Sequence, residues 1–184
     1  MGVYRGLAFG DLVAMHVLDS RQYRDDQACG DRIKPTCGAR GAPGRSLLGA
    51  EQERWLEGGL RGSGARWNLL AQQTVMAPLE YRTRDEEPAW SMDSWDGYPA
   101  ARQRLLDVLA ADAIANPVVL SGDIHSSWVM DLHAHPERPE SPMVGTEFVG
   151  TSIATGADGR NAYEEEEGMN ARNPHVRFFN DRRG

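Results

Sequence analysis

The residues best suited to chemistry stand in VVLSGDIHSSWVMDL, residues 118–132, where Asp123 and His125 follow an apolar run that carries no charge. Aspartate offers a hard anionic oxygen and histidine a neutral nitrogen, two donor types that metal cations take up. Gly122 lets the backbone turn before them, so both side chains can converge at the mouth of a strand. Two donors do not make a centre, because a site that activates water gathers several carboxylates and nitrogens around its metals. The bare spacing therefore also fits a structural role, with Asp123 capping the following turn and His125 as its hydrogen-bond partner.

A second group lies in LDSRQYRDD, where Asp19, Arg21 and Arg24 follow the apolar run at residues 12–18. Strand ends of open α/β sheets deliver functional groups at this kind of position, although an ordinary surface ion pair has the same spacing. The other familiar signatures are absent. The glycine-rich GTSIATGADGR has no lysine and no strand-loop-helix context for a phosphate loop, so it reads as a turn-rich connection; there is no GxSxG, HExxH or CxxC. The serines of HSSW have no neighbour that would orient a nucleophile.

Positioning these groups requires strands and helices, and the hydrophobic pattern supplies both. LVAMHVL and RWNLLAQQTVMAPL read as buried strands, with His16 a packed side chain inside the first. SLLGAEQERWLEGGL has apolar residues at helical spacing, Ser46 as N-cap and Gly58-Gly59 near its end. Residues 80–99 read as a long irregular segment, 100–115 as a second amphipathic helix, and PVVLSGDIHSSWVMDL as a strand, a turn and a continuation. Strand, helix, strand, helix, strand predicts a layered, loop-rich α/β domain. TEFVG predicts one more strand, YEEEEGMN a solvated acidic segment, and NPHVRFFNDRRG the approach to a strand that the chain does not complete. Residues 1–184 thus read as one partial domain cut at both ends.

Composition narrows the class. The chain has 184 residues and a formal net charge of −7, so a nucleic-acid backbone is repelled on average. No apolar stretch reaches the roughly 18–20 residues of a membrane-spanning helix, and the N-terminus shows no signal peptide. Cys29 and Cys37 lie eight apart in a Gly- and Pro-rich segment, where a disulfide in an oxidising compartment and two free thiols in a cytosolic loop both fit.

Several segments together, YRGLAFGDLVAMHVLDSRQYR, LLGAEQERWL, WNLLAQQTVMA, DSWDGYPAARQRLL, VVLSGDIHSSW, EFVGTSIATGADG and NPHVRFFNDRRG, resemble the C-terminal half of the PhoD-like alkaline phosphatases. These are a branch of the calcineurin-like metallophosphoesterases. The resemblance implies a four-layer α/β/β/α sandwich and a periplasmic or secreted phosphoesterase acting on small phosphoesters with calcium and ferric iron. It assigns Asp123 and His125 to metal binding and puts Asp19, Arg21, Trp95, Asp96 and His175 near the site. The preceding half of such enzymes carries further metal motifs, of the kind GDYIYE and DDHE, and neither is present here. A catalytically inactive fragment, or a half-domain that needs an unidentified partner chain, is accordingly the alternative to an active enzyme.

Overall fold

The computed structural model describes residues 3–111, 114–138, 140–153 and 169–180, the side chains of 169 and 170 excepted. Residues 154–168, which hold most of the predicted glycine-rich loop and acidic run, lie outside the described residues.

Seven strands form a mixed sheet in the order β1-β2-β4-β7-β9-β8-β10. They are β1 (Arg5–Phe9), β2 (Val13–Val17), β4 (Trp67–Ala71), β7 (Pro117–Ser121), β8 (Ser127–His133), β9 (Met143–Val149) and β10 (Val176–Asn180). The central four, β2, β4, β7 and β9, run parallel, whereas β1, β8 and β10 pair antiparallel with their neighbours. A parallel pair needs a crossover, and the two helices supply it: α1 (Gly49–Arg61) between β2 and β4, α2 (Pro99–Ala111) between β4 and β7. A small antiparallel sheet, β3-β6-β5, is built from β3 (Ile33–Pro35), β5 (Tyr81–Arg82) and β6 (Pro88–Ser91). The fold is mixed α/β and loop-rich, as the sequence pattern predicts.

Three local expectations change. The segment predicted to be irregular at 80–99 contains the β5-β6 hairpin and a 3-10 turn at Trp95–Gly97. The predicted second strand stops at Ala71, because the backbone of residues 72–80 is bonded mainly by side chains rather than by a neighbouring strand. The C-terminal segment does complete a strand, since β10 pairs with β8 along the edge of the sheet. At α1, Leu48 is the N-cap; Ser46 contributes two residues earlier by accepting from the N–H groups of Leu48 and Gly49.

The two faces of the large sheet differ sharply. On one, the cross-strand row His16, Leu70, Val119, Glu147 and Met130 is buried beneath α1 and α2 with Leu56, Leu60, Leu105 and Leu106. On the other, the row Ala71, Leu120, Phe148, Val129 and Phe178 is apolar yet only partly covered, and Leu7, Phe9 and Trp67 are exposed beside it. Register partners share a face, so this second surface is one continuous apolar band across all seven strands.

Candidate functional site

Because β2, β4, β7 and β9 are parallel, their C-terminal ends lie along one edge, and the loops that follow them start together there. After β2 comes Asp19-Ser20-Arg21, after β4 Gln72-Gln73, after β7 Asp123-Ile124-His125 and after β9 Gly150-Thr151. The sheet thus brings residues more than a hundred positions apart to one place.

Side-chain amides fix the first of these loops. Gln52 of α1 accepts from the Asp19 N–H at 2.8 Å and donates to the Asp19 carbonyl at 2.9 Å. From the other side, Gln73 accepts from the Ser20 N–H at 2.8 Å and donates to the Leu18 carbonyl at 2.9 Å. Each amide presents one donor and one acceptor to the backbone, as an adjacent strand would. The Asp19 carboxylate closes the turn by accepting from the N–H groups of Arg21 and Gln22 through Oδ1, while its buried Oδ2 has no hydrogen-bond partner.

Arg21 is the bridge. Its guanidinium lies 2.7 Å from Asp123 Oδ2 through one terminal nitrogen and 2.7 Å from Asp93 Oδ2 through the other. Asp93 also accepts from Arg24 at 2.8 Å and Gln27 at 2.9 Å. Burial opposes ionisation of Asp93, but hydrogen bonds from Arg21, Gln27 and Arg24 outweigh it and hold its pKa below the usual value. Burial likewise works against the charge on Arg21, and the two carboxylates more than restore it, raising its pKa.

Asp123 and His125 both adopt left-handed backbone angles, φ 78° and 57°. Such angles are uncommon outside glycine, and their clustering at a strand end is characteristic of functional loops. Thr151 steadies the loop by donating to the His125 carbonyl at 3.1 Å. Asp123, Arg21 and Asp19 of the sequence prediction are therefore brought to the same edge, with His125 two residues further along the loop.

Trp95, Asp96 and His175 sit elsewhere. Trp95 is buried and reaches the edge only by donating to Gln72 at 2.6 Å. Asp96 forms a buried pair with Arg102 at 2.6 Å and accepts from the Leu79 N–H, so it holds the 72–80 segment rather than facing the strand ends. His175 contacts the Pro78 carbonyl at 2.8 Å, and it lines a separate cavity that none of Asp19, Arg21, Asp123 and His125 borders. Burial of its ring lowers the His175 pKa, against the opposing bond to Pro78.

Glu147 was missed by sequence reasoning. It is fully buried, accepts from the N–H groups of Met76 and Ala77 at 2.7 Å and from the Ser121 hydroxyl, and pins the same segment beneath the sheet. Its position in the alternating strand MVGTEFV marks it as inward-facing, the one available signal.

The donors for a cation are few. Among the described residues no three His, Cys, Asp or Glu side chains form a group that could hold a metal, and the Asp123 carboxylate is already engaged by Arg21. The described residues do not by themselves fit calcium or ferric iron, whose sites need more oxygen or nitrogen ligands than Asp123 and His125 provide.

An α/β sheet presenting acidic and imidazole side chains on one edge is the framework of a phosphatase family: the sequence profile of PhoD-like phosphatases matches residues 1–184, and the chain belongs to that family. Among its relatives is alkaline phosphatase D of Bacillus subtilis (strain 168), 46% identical over 184 residues, which cover all of this chain and 31% of that protein. A solved structure of PhoD superposes with a TM-score of 0.91 at 45% identity, covering 100% of this chain and 35% of that one. The chain thus spans about a third of the length of these relatives.

Proposed function

We propose that this chain supplies one part of the active edge of a metal-dependent, PhoD-like phosphoesterase: the phosphate-gripping arginine and two of the metal donors, Asp123 and His125. The observation that carries the reading is the Arg21 bridge between Asp93 and Asp123 at the ends of the parallel strands. A guanidinium presents paired donors that match two oxygens of a phosphoryl group, and Asp93, itself held by Arg24 and Gln27, keeps Arg21 aimed along the edge. Asp93 anchors one terminal nitrogen of Arg21, and the other, which lies on Asp123, is the one that would meet a phosphoryl oxygen. The family resemblance implies calcium and ferric iron, which would polarise the phosphoryl group and lower the pKa of bound water. Among the described residues the donors for such ions are too few. The Cys29–Cys37 disulfide, with Cα atoms 5.7 Å apart, favours the predicted periplasmic or secreted setting.

The same shortage of donors favours a second reading, that the isolated chain is inactive. One experiment separates the two. The 184-residue chain is incubated with p-nitrophenyl phosphate, calcium and ferric iron, and in parallel it replaces the matching 31% of Bacillus subtilis alkaline phosphatase D. No turnover by the isolated chain, turnover by the chimera, and at least a tenfold rise in KM for chimeric Arg21→Ala are the expected results. Hydrolysis by the isolated chain refutes the shortage of donors, and an inactive but folded chimera leaves the chain without this function.

A further inference from the structure

Far from the strand ends lies a cavity of about 700 Å³. It opens where β8 runs out at His133, beside the start of α2 and the turn that leads into β10. β8 has seven residues, so its two ends stand roughly 20 Å apart, and the Asp123 loop neighbours the other one. The volume falls within the range of sites that enclose metabolite-sized molecules.

Among the described residues, three side chains in this cavity have nitrogens that are uncommitted. Arg40 stacks over the Trp90 ring at 4.4 Å and donates through Nε to the Asp96 carbonyl at 2.7 Å. Its two terminal nitrogens form no ion pair or hydrogen bond among the described residues, unlike Arg102 and Arg177, which are paired with Asp96 and Asp131. Burial of this guanidinium lowers the Arg40 pKa, against the attraction of the nearby Asp96 carboxylate, which itself is paired with Arg102. The two imidazoles are each oriented by a backbone carbonyl: His133 Nδ1 lies 2.8 Å from the Ser141 oxygen and His175 Nε2 lies 2.8 Å from the Pro78 oxygen. A carbonyl only accepts, so those nitrogens carry the hydrogens. His133 Nε2 and His175 Nδ1 have no partner among the described residues and are left as acceptors. Trp90, Pro78 and Pro174 give the wall a flat apolar stretch, and the carboxylates that also line it, Glu80, Asp131 and Glu137, are paired with Arg82, Arg177 and Arg138.

We propose that this cavity is a binding site for a small planar-ring oxyanion, a phosphate or carboxylate carried on an aromatic or heterocyclic ring, separate from the strand-end site. The oxyanion pairs with the terminal nitrogens of Arg40. The ring lies against the proline and tryptophan wall, and hydroxyl or N–H groups on the ligand donate to His133 Nε2 and His175 Nδ1.

The test titrates the 184-residue chain with phenylphosphonate, which no phosphatase can hydrolyse, using calorimetry and NMR of the histidine ring signals. The expected result is one molecule bound in the submillimolar range, with shifts at His133 and His175. Arg40→Gln weakens binding at least tenfold, and Arg21→Gln leaves it unchanged. Should Arg40→Gln unfold, as circular dichroism would show, His133→Phe takes its place, filling the cavity and abolishing binding. No binding to the folded chain overturns the proposal, as does binding lost with Arg21→Gln and retained with Arg40→Gln. Neither outcome touches the strand-end reading, which rests on turnover by the chimera.

Discussion

At the scale of single residues, burial decides which charged groups matter for stability. The pairs of Arg21 with Asp93 and Asp123 are partly exposed and hold geometry more than stability. Asp96 and Arg102 are a different case, since both side chains are nearly inaccessible. Asp96→Ala strands the guanidinium and releases the Leu79 N–H, so urea denaturation should show a loss of about 3–5 kcal/mol. His16 is buried with neither ring nitrogen bonded, edge-on to Trp55. Burial lowers its pKa, and His175 shifts the same way. Both therefore bind protons more weakly folded than unfolded, so their stabilising contribution is complete above about pH 6.5 and is lost as pH falls through the folded values. Denaturation midpoints measured between pH 7.5 and 5 should decline, and His16→Leu should flatten part of that decline. Gly59 makes room for the same ring: a Cβ there would stand 2.7 Å from His16 Cε1. Gly59→Ala should lower the melting temperature, by an overpacking cost of about 1–3 kcal/mol.

At the scale of elements, the strands and helices buried on one or both sides were legible, because period-2 and period-3.6 patterns survive wherever a face must be dry. β2, β7, α1 and α2 fall where the pattern puts them. β1, β5, β6 and β10 were not seen: the first is RGLAF, exposed along its whole length, the next two are two and four residues long, and VRFFN carries a register shift. The site was half legible for a related reason. Gly-Asp-x-His and LDSR are local patterns, whereas Asp93, 72 residues from Arg21, and Gln73, 53 from Ser20, are joined to it only by the fold. Segment 72–80 shows the same limit, its backbone bonded by Glu147, Asp96, Arg102, Asn173 and His175 from four distant stretches. The disulfide closes a loop of separation 8, and its reduction should destabilise the fold by about 2.5 kcal/mol. Melting curves with and without dithiothreitol measure that difference.

For the whole molecule, the apolar band on the open face of the large sheet governs behaviour in solution. A continuous patch of this kind is a contact surface or an aggregation hazard. The isolated 20.3 kDa chain should therefore sediment as dimers or larger species and bind a hydrophobic dye. Phe148→Lys with Phe178→Lys, both exposed on that face, should return it toward the monomer without loss of secondary structure, as ultracentrifugation and circular dichroism would show.

Four parallel strands finishing on a common line separate architecture from chemistry. A one-residue slip within β4 or β7 would turn Leu70 or Val119 outward and ruin the interior, whereas lengthening or exchanging the segments that follow leaves every ladder bond intact. The rim is thus separable from the interior, but its loops brace one another through Gln73, Arg21 and Thr151, so a new specificity is installed there by exchanging neighbouring loops together.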